Sequence, residues 1–384
     1  MGPARDAAAA GGALLVLYAG WSVLAAFVVP RRVRTALSYG VSLAVAAAFH
    51  LVAGRAGSYE RRDAILAVEG PAMLLGQLAS WLAVLEVGFG LLLWPFTRQG
   101  GLGRAMEVAA SSLTTLGYEA PVTGAAKALA DVAGLVGLGT VALLIGYLPT
   151  LYAAFNRREA LVTLLDSRAG VPSWGPELLA RTHYGLGTGV SAVEELPALF
   201  ERWEQWSADV SETHSTYVML TRFRSPRPLS CWLTAQLAVL DAAALYLSLL
   251  GAPANPLAAR LCLRSGFTCL TTVARALGAR IPEEADPDRG IRLSYAEFVD
   301  VVDRLRRVGF PVERPIEDAW VDFVGWRVNY EEAAYYIAAM VDAPPALWSG
   351  PRRRPLAPIP PVRPLLRKAH DGARTNQPGD AEAG

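Results

Sequence analysis

Long apolar stretches are the feature that most limits how this chain can fold. Residues 7–30, 35–54, 70–95 and 132–156 hold no charged side chain apart from Glu86 in the third stretch. At about 1.5 Å per residue, a helix of about 20 residues covers the roughly 30 Å hydrocarbon core of a bilayer. A segment that crosses lipid must satisfy its own backbone hydrogen bonds, as an α-helix does. We therefore predict an all-α membrane protein whose first partner is the lipid bilayer.

The composition argues against several classes of function. Apolar residues make up 53% of the chain and the net charge is +1, so no basic face for nucleic acid is expected. The three cysteines lie in the later half without the His/Cys spacing of a metal site, and we expect reduced thiols. No paired carboxylates or activated nucleophile occur, and His214 lacks the partners of a catalytic triad. We expect no catalytic residue, no metal site and no cofactor.

Basic residues beside the apolar stretches indicate their direction. Arginine pairs at residues 61–62 and 157–158 flank the third and fourth stretches, so both flanks should be cytoplasmic. The first stretch has a poor n-region and cleavage site, which favours an uncleaved anchor. The second stretch is rich in Ala and Ser and leaves two arrangements open. It either lies in the interface, which gives three spans and keeps the arginines at 31–34 cytoplasmic, or forms a fourth span.

A short motif between the third and fourth stretches carries a resemblance. Residues 114–118 read T-T-L-G-Y and follow a helical segment at about 103–113 that is too short to cross. The run resembles the potassium-channel filter, T-V-G-Y-G-D, and its flanks then resemble the outer, pore and inner helices. In that family four loops turn backbone carbonyls towards a dehydrated cation, and a tyrosine packs outward to stiffen the loop. The resemblance implies an ion-conducting filter made of Thr114, Thr115, Leu116, Gly117, Tyr118 and Glu119.

The match ends at residue 119. Glu119 and Ala120 stand where the family has glycine and aspartate, and Pro121 follows. A β-carbon at position 119 disfavours the left-handed backbone that glycine allows. We therefore expect a homotetrameric pore for a monovalent cation, K+ by the resemblance, without strict selectivity for potassium.

The resemblance extends to a less-studied group of bacterial channel-like proteins. Residues 144–152 are similar to their inner-helix exit, and residues 241–245 and 326–330 are similar to landmarks of their cytoplasmic domain. It reaches about Trp348 and implies a multi-pass protein of the bacterial inner membrane with a cytoplasmic C-terminal domain. It implies no ligand for that domain.

Two acidic residues are candidates for pore support or a vestibule. Glu86 lies in the middle of an apolar stretch, where an ionisable group indicates a function. Its carboxyl is expected to be buried against the pore helix and to brace the filter, or else to contact ions. Asp131 is expected either to pair with Lys127 or to attract cations in a vestibule.

The inner helix contains candidates for a gating hinge. Gly134, Gly137 and Gly139 suit either a hinge or close helix packing. Pro149 removes an internal hydrogen bond and is expected to kink the helix near its exit. No glycine-rich break follows, so the helix should continue into the cytoplasmic half.

Four regions follow from these patterns: a membrane anchor at 1–62, a pore domain at 63–156, a helical cytoplasmic domain at 157–350 and a disordered Arg/Pro-rich tail at 351–384. Arginines of the tail are expected either to contact anionic lipid or to remain solvated.

Within the cytoplasmic half, most patterns predict helices. Residues 229–250 are nearly apolar enough to cross a membrane, but Asp241 near the centre favours a buried helix. Residues 317–340 are predicted as one last helix. Ser294 and Glu297 form a capping-box pattern, and the glycine run at 185–189 is predicted as a plain turn.

The sequence thus predicts a passive cation channel with a helical cytoplasmic domain. The alternative is a non-conducting membrane scaffold or sensor that has kept the pore fold.

Overall fold

The computed structural model describes residues 3–27, 29, 35–97, 101–183, 192–282, 290–350 and 356–362. This part of the chain consists of α-helices, short 3-10 helices and turns, and it contains no β-strand. The α-helices are α1 (Pro3–Phe27), α2 (Ala36–Ala53), α3 (Tyr59–Leu66), α4 (Glu69–Leu93), α5 (Gly101–Leu113), α6 (Gly124–Ala169), α7 (Gly175–His183), α8 (Leu196–Thr216), α9 (Trp232–Leu249), α10 (Pro256–Leu277), α11 (Tyr295–Arg307), α12 (Ile316–Arg327) and α13 (Glu331–Val341). The predicted all-α fold class is confirmed. Arg31, Arg32, Arg34, the glycine run at 185–189 and most of the tail lie outside the described residues.

The first half of the chain has the helices of a multi-pass membrane protein. Helices α1, α2 and α6, and the segment that contains α3 and α4, are long and apolar enough to cross a bilayer. At most 33% of the residues in each of these apolar segments are buried in the single chain, which leaves apolar side chains on their surface.

Helix α1 runs antiparallel to α4. Near the start of α1, Gly12 packs so closely against Gly88 that neither position has room for a β-carbon. Near its end, Ser22 Oγ accepts a hydrogen bond from Trp81 Nε1 at 3.0 Å. The two contacts occur in opposite order along the two helices.

Helix α2 runs in the same direction as α1. Thr35, the N-cap of α2, has its Oγ1 2.8 Å from Ser22 Oγ, near the middle of α4. Further along α2, Val41 and Val45 lie beside Gly76, closer to the beginning of α4. Helix α2 therefore runs from the middle of α4 towards the beginning of α4, parallel to α1 and not antiparallel to it.

Helix α6 joins the membrane part to the rest of the fold without a break. Its 46 residues extend for about 69 Å. Pro149 lies inside this helix and does not end it. The prediction that the helix of the fourth apolar stretch continues beyond residue 156 without a break is confirmed.

The second half is a helical domain built around α9. Almost every residue of α9 is buried, and α7, α10, α12 and α13 pack around it. Asp241, in the middle of α9, accepts hydrogen bonds from Arg327 (2.6 Å) and the Tyr330 hydroxyl (2.7 Å). The prediction that residues 229–250 form a buried helix is confirmed, and the two sequence landmarks of this domain contact each other.

The prediction of one helix over residues 317–340 was wrong. Helix α12 ends at Arg327 and α13 begins at Glu331, with a turn closed by the Tyr330 amide and the Arg327 carbonyl at 3.1 Å. This turn lets the side chains of Arg327 and Tyr330 both reach Asp241. The capping box predicted from Ser294 and Glu297 is present at the start of α11.

Part of the predicted tail lies against the helical domain. The amide of Val362 donates to the carbonyl of Val171 at 3.1 Å, and Arg181 donates to the carbonyl of Val362 at 2.6 Å. Residues 359–362 are therefore held against the domain, in contrast to the expectation of disorder for the whole tail.

Candidate functional site

Helix α5 lies between α4 and α6 and supports the loop that carries the motif. It has 13 residues, about 20 Å, and is too short to cross a bilayer. Its buried face holds Ala105, Val108 and Leu113. Gly90 of α4 leaves room for Met106, where a β-carbon would collide with the thioether.

The chain reverses direction directly after α5. Thr115 has φ +58° and Gly117 has φ +70°, both in the left-handed region. Glycine adopts this geometry freely, whereas a threonine there is uncommon and needs support from its surroundings. The left-handed residues are therefore 115 and 117, and Glu119 has no positive φ.

Ser111 fixes residues 117–119, the part of the loop that returns, to α5. Its Oγ accepts a hydrogen bond from the Glu119 amide at 3.0 Å and donates to the Glu119 carbonyl at 3.2 Å. Its carbonyl accepts from the Gly117 amide at 3.3 Å. Further towards the start of α5, Arg104 forms an ion pair with Glu119 at 2.5 Å. Residues 117–119 thus return alongside the helix that precedes them.

The front of the loop is open in the single chain. Residues 114–118 are all exposed, Leu116 to 72% and Tyr118 to 60%. Thr114 Oγ1 donates to the carbonyl of Ala110, and Thr115 Oγ1 donates to the carbonyl of Thr114, each at 2.7 Å. The packing expected for the Tyr118 ring is therefore not made among the described residues of the single chain.

The candidate hinge residues of α6 differ from one another. A β-carbon on Gly137 would collide with the carbonyl of Leu113, and Gly134 faces the carbonyl of Ser112. These two glycines let α6 approach the end of α5, which supports the packing alternative. Gly139 faces open space, and Pro149 is exposed within a continuous helix.

The acidic candidates have no partners in this part of the structure. Glu86 is half-buried one turn before Gly90, and within the described residues its carboxylate makes no hydrogen bond or ion pair. Among the described residues of a single chain, the hydrogen-bonded brace is therefore not formed. Asp131 and Lys127 are both exposed, and no ion pair joins them in the segment 101–183.

Sequence reasoning missed Arg104 and Ser111. Ser111 is eight residues from Glu119 and reads as an ordinary small residue of a membrane helix, so its role depends on the direction of the loop. Arg104 offered a weak signal, because it is a basic residue on a short apolar helix close to the carboxylate of Glu119.

Comparison with known proteins adds no relative. No protein-family model, no curated protein and no solved structure matches this chain. The resemblance to potassium channels therefore stays a prediction from the motif residues 114–118.

Proposed function

We propose that this chain is a subunit of a potassium-channel-like pore that conducts monovalent cations passively. Four copies would bring residues 114–119 around one axis, with α4 as outer helix, α5 as pore helix and α6 as inner helix. The observation that carries the proposal is the loop itself. It has left-handed backbone at Thr115 and Gly117, is fastened to α5 through Ser111, and lies between two helices of membrane length.

Exposed apolar side chains near the loop support a homotetramer. They lie on the loop and on the first half of α6, and include Leu116, Val122, Val132, Leu135 and Leu138. Leu135 is 72% exposed and lies next to Gly134, which faces the end of α5, so this apolar face is close to the loop. Neighbouring copies would cover this face.

The helix directions support three membrane crossings. Helices α1 and α6 run opposite to α4, and α2 runs parallel to α1 beside the first half of α4. The chain would then cross with α1, α4 and α6, while α2 extends towards the cytoplasmic surface. This arrangement keeps residues 61–62 on the cytoplasmic side and places the loop outside, as in a bacterial inner membrane.

Weak discrimination between potassium and sodium is part of the proposal. Residue 119 carries a β-carbon, and its amide and carbonyl are engaged by Ser111. A carbonyl that accepts a hydrogen bond from its own chain is a poorer ligand for a dehydrated cation. Fewer ordered ion sites follow.

One observation favours the alternative of a non-conducting scaffold or sensor. The Thr115 hydroxyl donates to the carbonyl of Thr114, an oxygen that a conducting filter would present to the ion. A pore fixed in this state would keep the fold without the current.

Recordings of the purified protein in bilayers, with potassium on one side and sodium on the other, test the proposal. We expect cation current with a reversal potential near zero. Glu119→Gly should move that potential towards the potassium value, whereas Glu119→Ala, which also removes the carboxylate but keeps a β-carbon, should not. Intact tetramers without current in any variant would support the non-conducting scaffold. A monomeric protein would contradict both the channel and a tetrameric scaffold.

A further inference from the structure

A short connector between α8 and α9 contacts both halves of the molecule. It comprises residues 217–224 and includes a 3-10 helix, Val218–Arg222. Its side chains and carbonyls contact α6, the beginning of α4, the end of α2 and helix α3. No sequence motif marked this segment.

Arg158 fixes the connector to α6. Its guanidinium is fully buried and donates to the carbonyls of Leu220 at 2.8 Å and Phe223 at 2.7 Å. Glu159 balances the charge with an oxygen 2.7 Å away, and His214 Nε2 lies 2.9 Å from Arg158 Nη1. Charge-assisted hydrogen bonds that are fully enclosed hold their geometry tightly.

Arg222 fixes the same connector to the beginning of α4. Its Nη1 donates to Glu69 Oε1 at 3.0 Å and to His50 Nε2, on α2, at 3.2 Å. Next to it, the Phe223 ring packs on Gly70, where a β-carbon would come within 2.7 Å of the ring. The first turn of α4 therefore rests directly on the connector.

Arg224 adds helix α3 and the end of α13. It pairs with Asp63 at 2.5 Å and donates to the Tyr59 hydroxyl and to the carbonyl of Asp342. Arg62 closes the group through an ion pair with the Asp342 carboxylate at 2.6 Å.

We propose that residues 217–224 are a coupling clamp that makes the inner and outer membrane helices respond together to the helical domain. Arg158 is the half that lies within the domain, where it is fully buried. The Arg222–Glu69 pair is the half that reaches the membrane part, because it joins the connector to the first turn of α4. The effect of the clamp on current rests on the proposed channel function, whereas the linkage itself does not.

Charge reversal tests the clamp in the full-length protein in lipid nanodiscs. The variants are Glu69→Arg, Arg222→Glu and the double exchange, with Glu69→Gln as a milder substitution. Hydrogen–deuterium exchange is measured over residues 59–72 and 217–224, and open probability is recorded in bilayers. Arg306→Glu, which breaks an exposed pair with Asp303, is the control.

Each single reversal should raise amide exchange in both segments by about tenfold, and the double exchange should restore most of the protection. Open probability should change in the single variants and return in the double. Exchange that rises in one segment only, no rescue by the double variant, or an effect of Arg306→Glu of the same size would overturn the clamp. Rescued exchange with unchanged open probability would overturn its role in gating. If the wild type carries no current, the proposed channel function is wrong. The exchange data alone then decide whether the connector links the two halves.

Discussion

Gly137 of α6 faces the carbonyl oxygen of Leu113, the last residue of α5, with no room between them for a β-carbon. Helix α6 therefore contacts the end of α5, the helix that precedes the loop. Gly134 and Gly137, on adjacent turns of α6, make this approach possible because they carry no side chain. The position of the loop thus depends on α6 as well as on α5.

Substitutions of two nearby glycines should separate packing from flexibility. Gly137→Ala should destabilise the protein by about 1–3 kcal/mol, because the new methyl collides with a backbone oxygen that cannot move aside. Gly139→Ala, which meets open space, should be neutral or stabilise the helix by up to about 1 kcal/mol. Thermal unfolding in detergent measures both changes. Equal effects of the two substitutions would contradict the packing role of Gly137.

Ser111→Ala should loosen the loop without unfolding the protein. The substitution leaves the amide and carbonyl of Glu119 without their side-chain partner, at a cost of about 1–3 kcal/mol in local stability. Amide exchange over residues 114–120 should accelerate, and the reversal potential should vary more between recordings. Ser112→Ala is the matched control, since no side-chain bond to the loop involves Ser112. Equal protection of the amides of residues 114–120 in both variants would argue against this role of Ser111.

Glu86→Leu should leave the single subunit folded. The carboxylate makes no hydrogen bond within the described residues, so its removal breaks none there. Helix content and the fraction of tetramer on native gels should match those of wild type and of Glu86→Gln. A tetramer lost in Glu86→Leu and retained in Glu86→Gln would show that Glu86 finds a partner on a neighbouring copy.

Arg327→Met should be among the most damaging substitutions in the helical domain. The change leaves Asp241 and Glu331 buried without their cation and should cost about 3–5 kcal/mol. Arg306→Met removes an exposed pair with Asp303 and should change stability by less than about 0.5 kcal/mol. Chemical denaturation of both variants provides the comparison, and similar midpoints would refute the argument.

His214 should make stability fall at acidic pH. Burial and then the charge of Arg158 lower the pKa of this histidine well below its ordinary value of 6.5. Because arginine only donates, Nε2 accepts from Arg158, and Nδ1 donates to Thr213 Oγ1.

A lowered pKa means that the unfolded state binds the proton first as pH falls. The contribution of His214 is thus intact above about pH 6.5 and declines below it by up to about 1.4 kcal/mol per pH unit. The difference in unfolding free energy between wild type and His214→Gln, measured from pH 7.5 to 5.0, should show this slope. A difference independent of pH would mean that His214 does not titrate as inferred.

The sequence was informative where a signal is local. The helices of the membrane part follow from long apolar runs, and α9 was separated from them because Asp241 is hard to place in lipid. The split between α12 and α13 could not be predicted, because it depends on Tyr330 reaching a residue 89 positions away.

The candidate site was likewise predictable only in its local part. The loop was recognised from the residues of its motif, but its attachment to Ser111 depends on the direction in which the chain returns after the motif. Arg158 was interpreted as a marker of the cytoplasmic side. The residues next to it in the sequence give no indication that it is buried among the carbonyls of the connector. The same holds for the direction of α2, which is set by contacts with Ser22 and Gly76.

The burial of α9 has a consequence for biosynthesis. This helix leaves the ribosome before α10 to α13 exist to cover it, and its apolar length is enough for the insertion machinery to treat it as a further span. Asp241 is then the residue that disfavours its transfer into lipid until Arg327 arrives 86 residues later. Chains that stop before Arg327 should aggregate or insert α9 wrongly, so a nonsense or truncation variant in this region would be lost during synthesis.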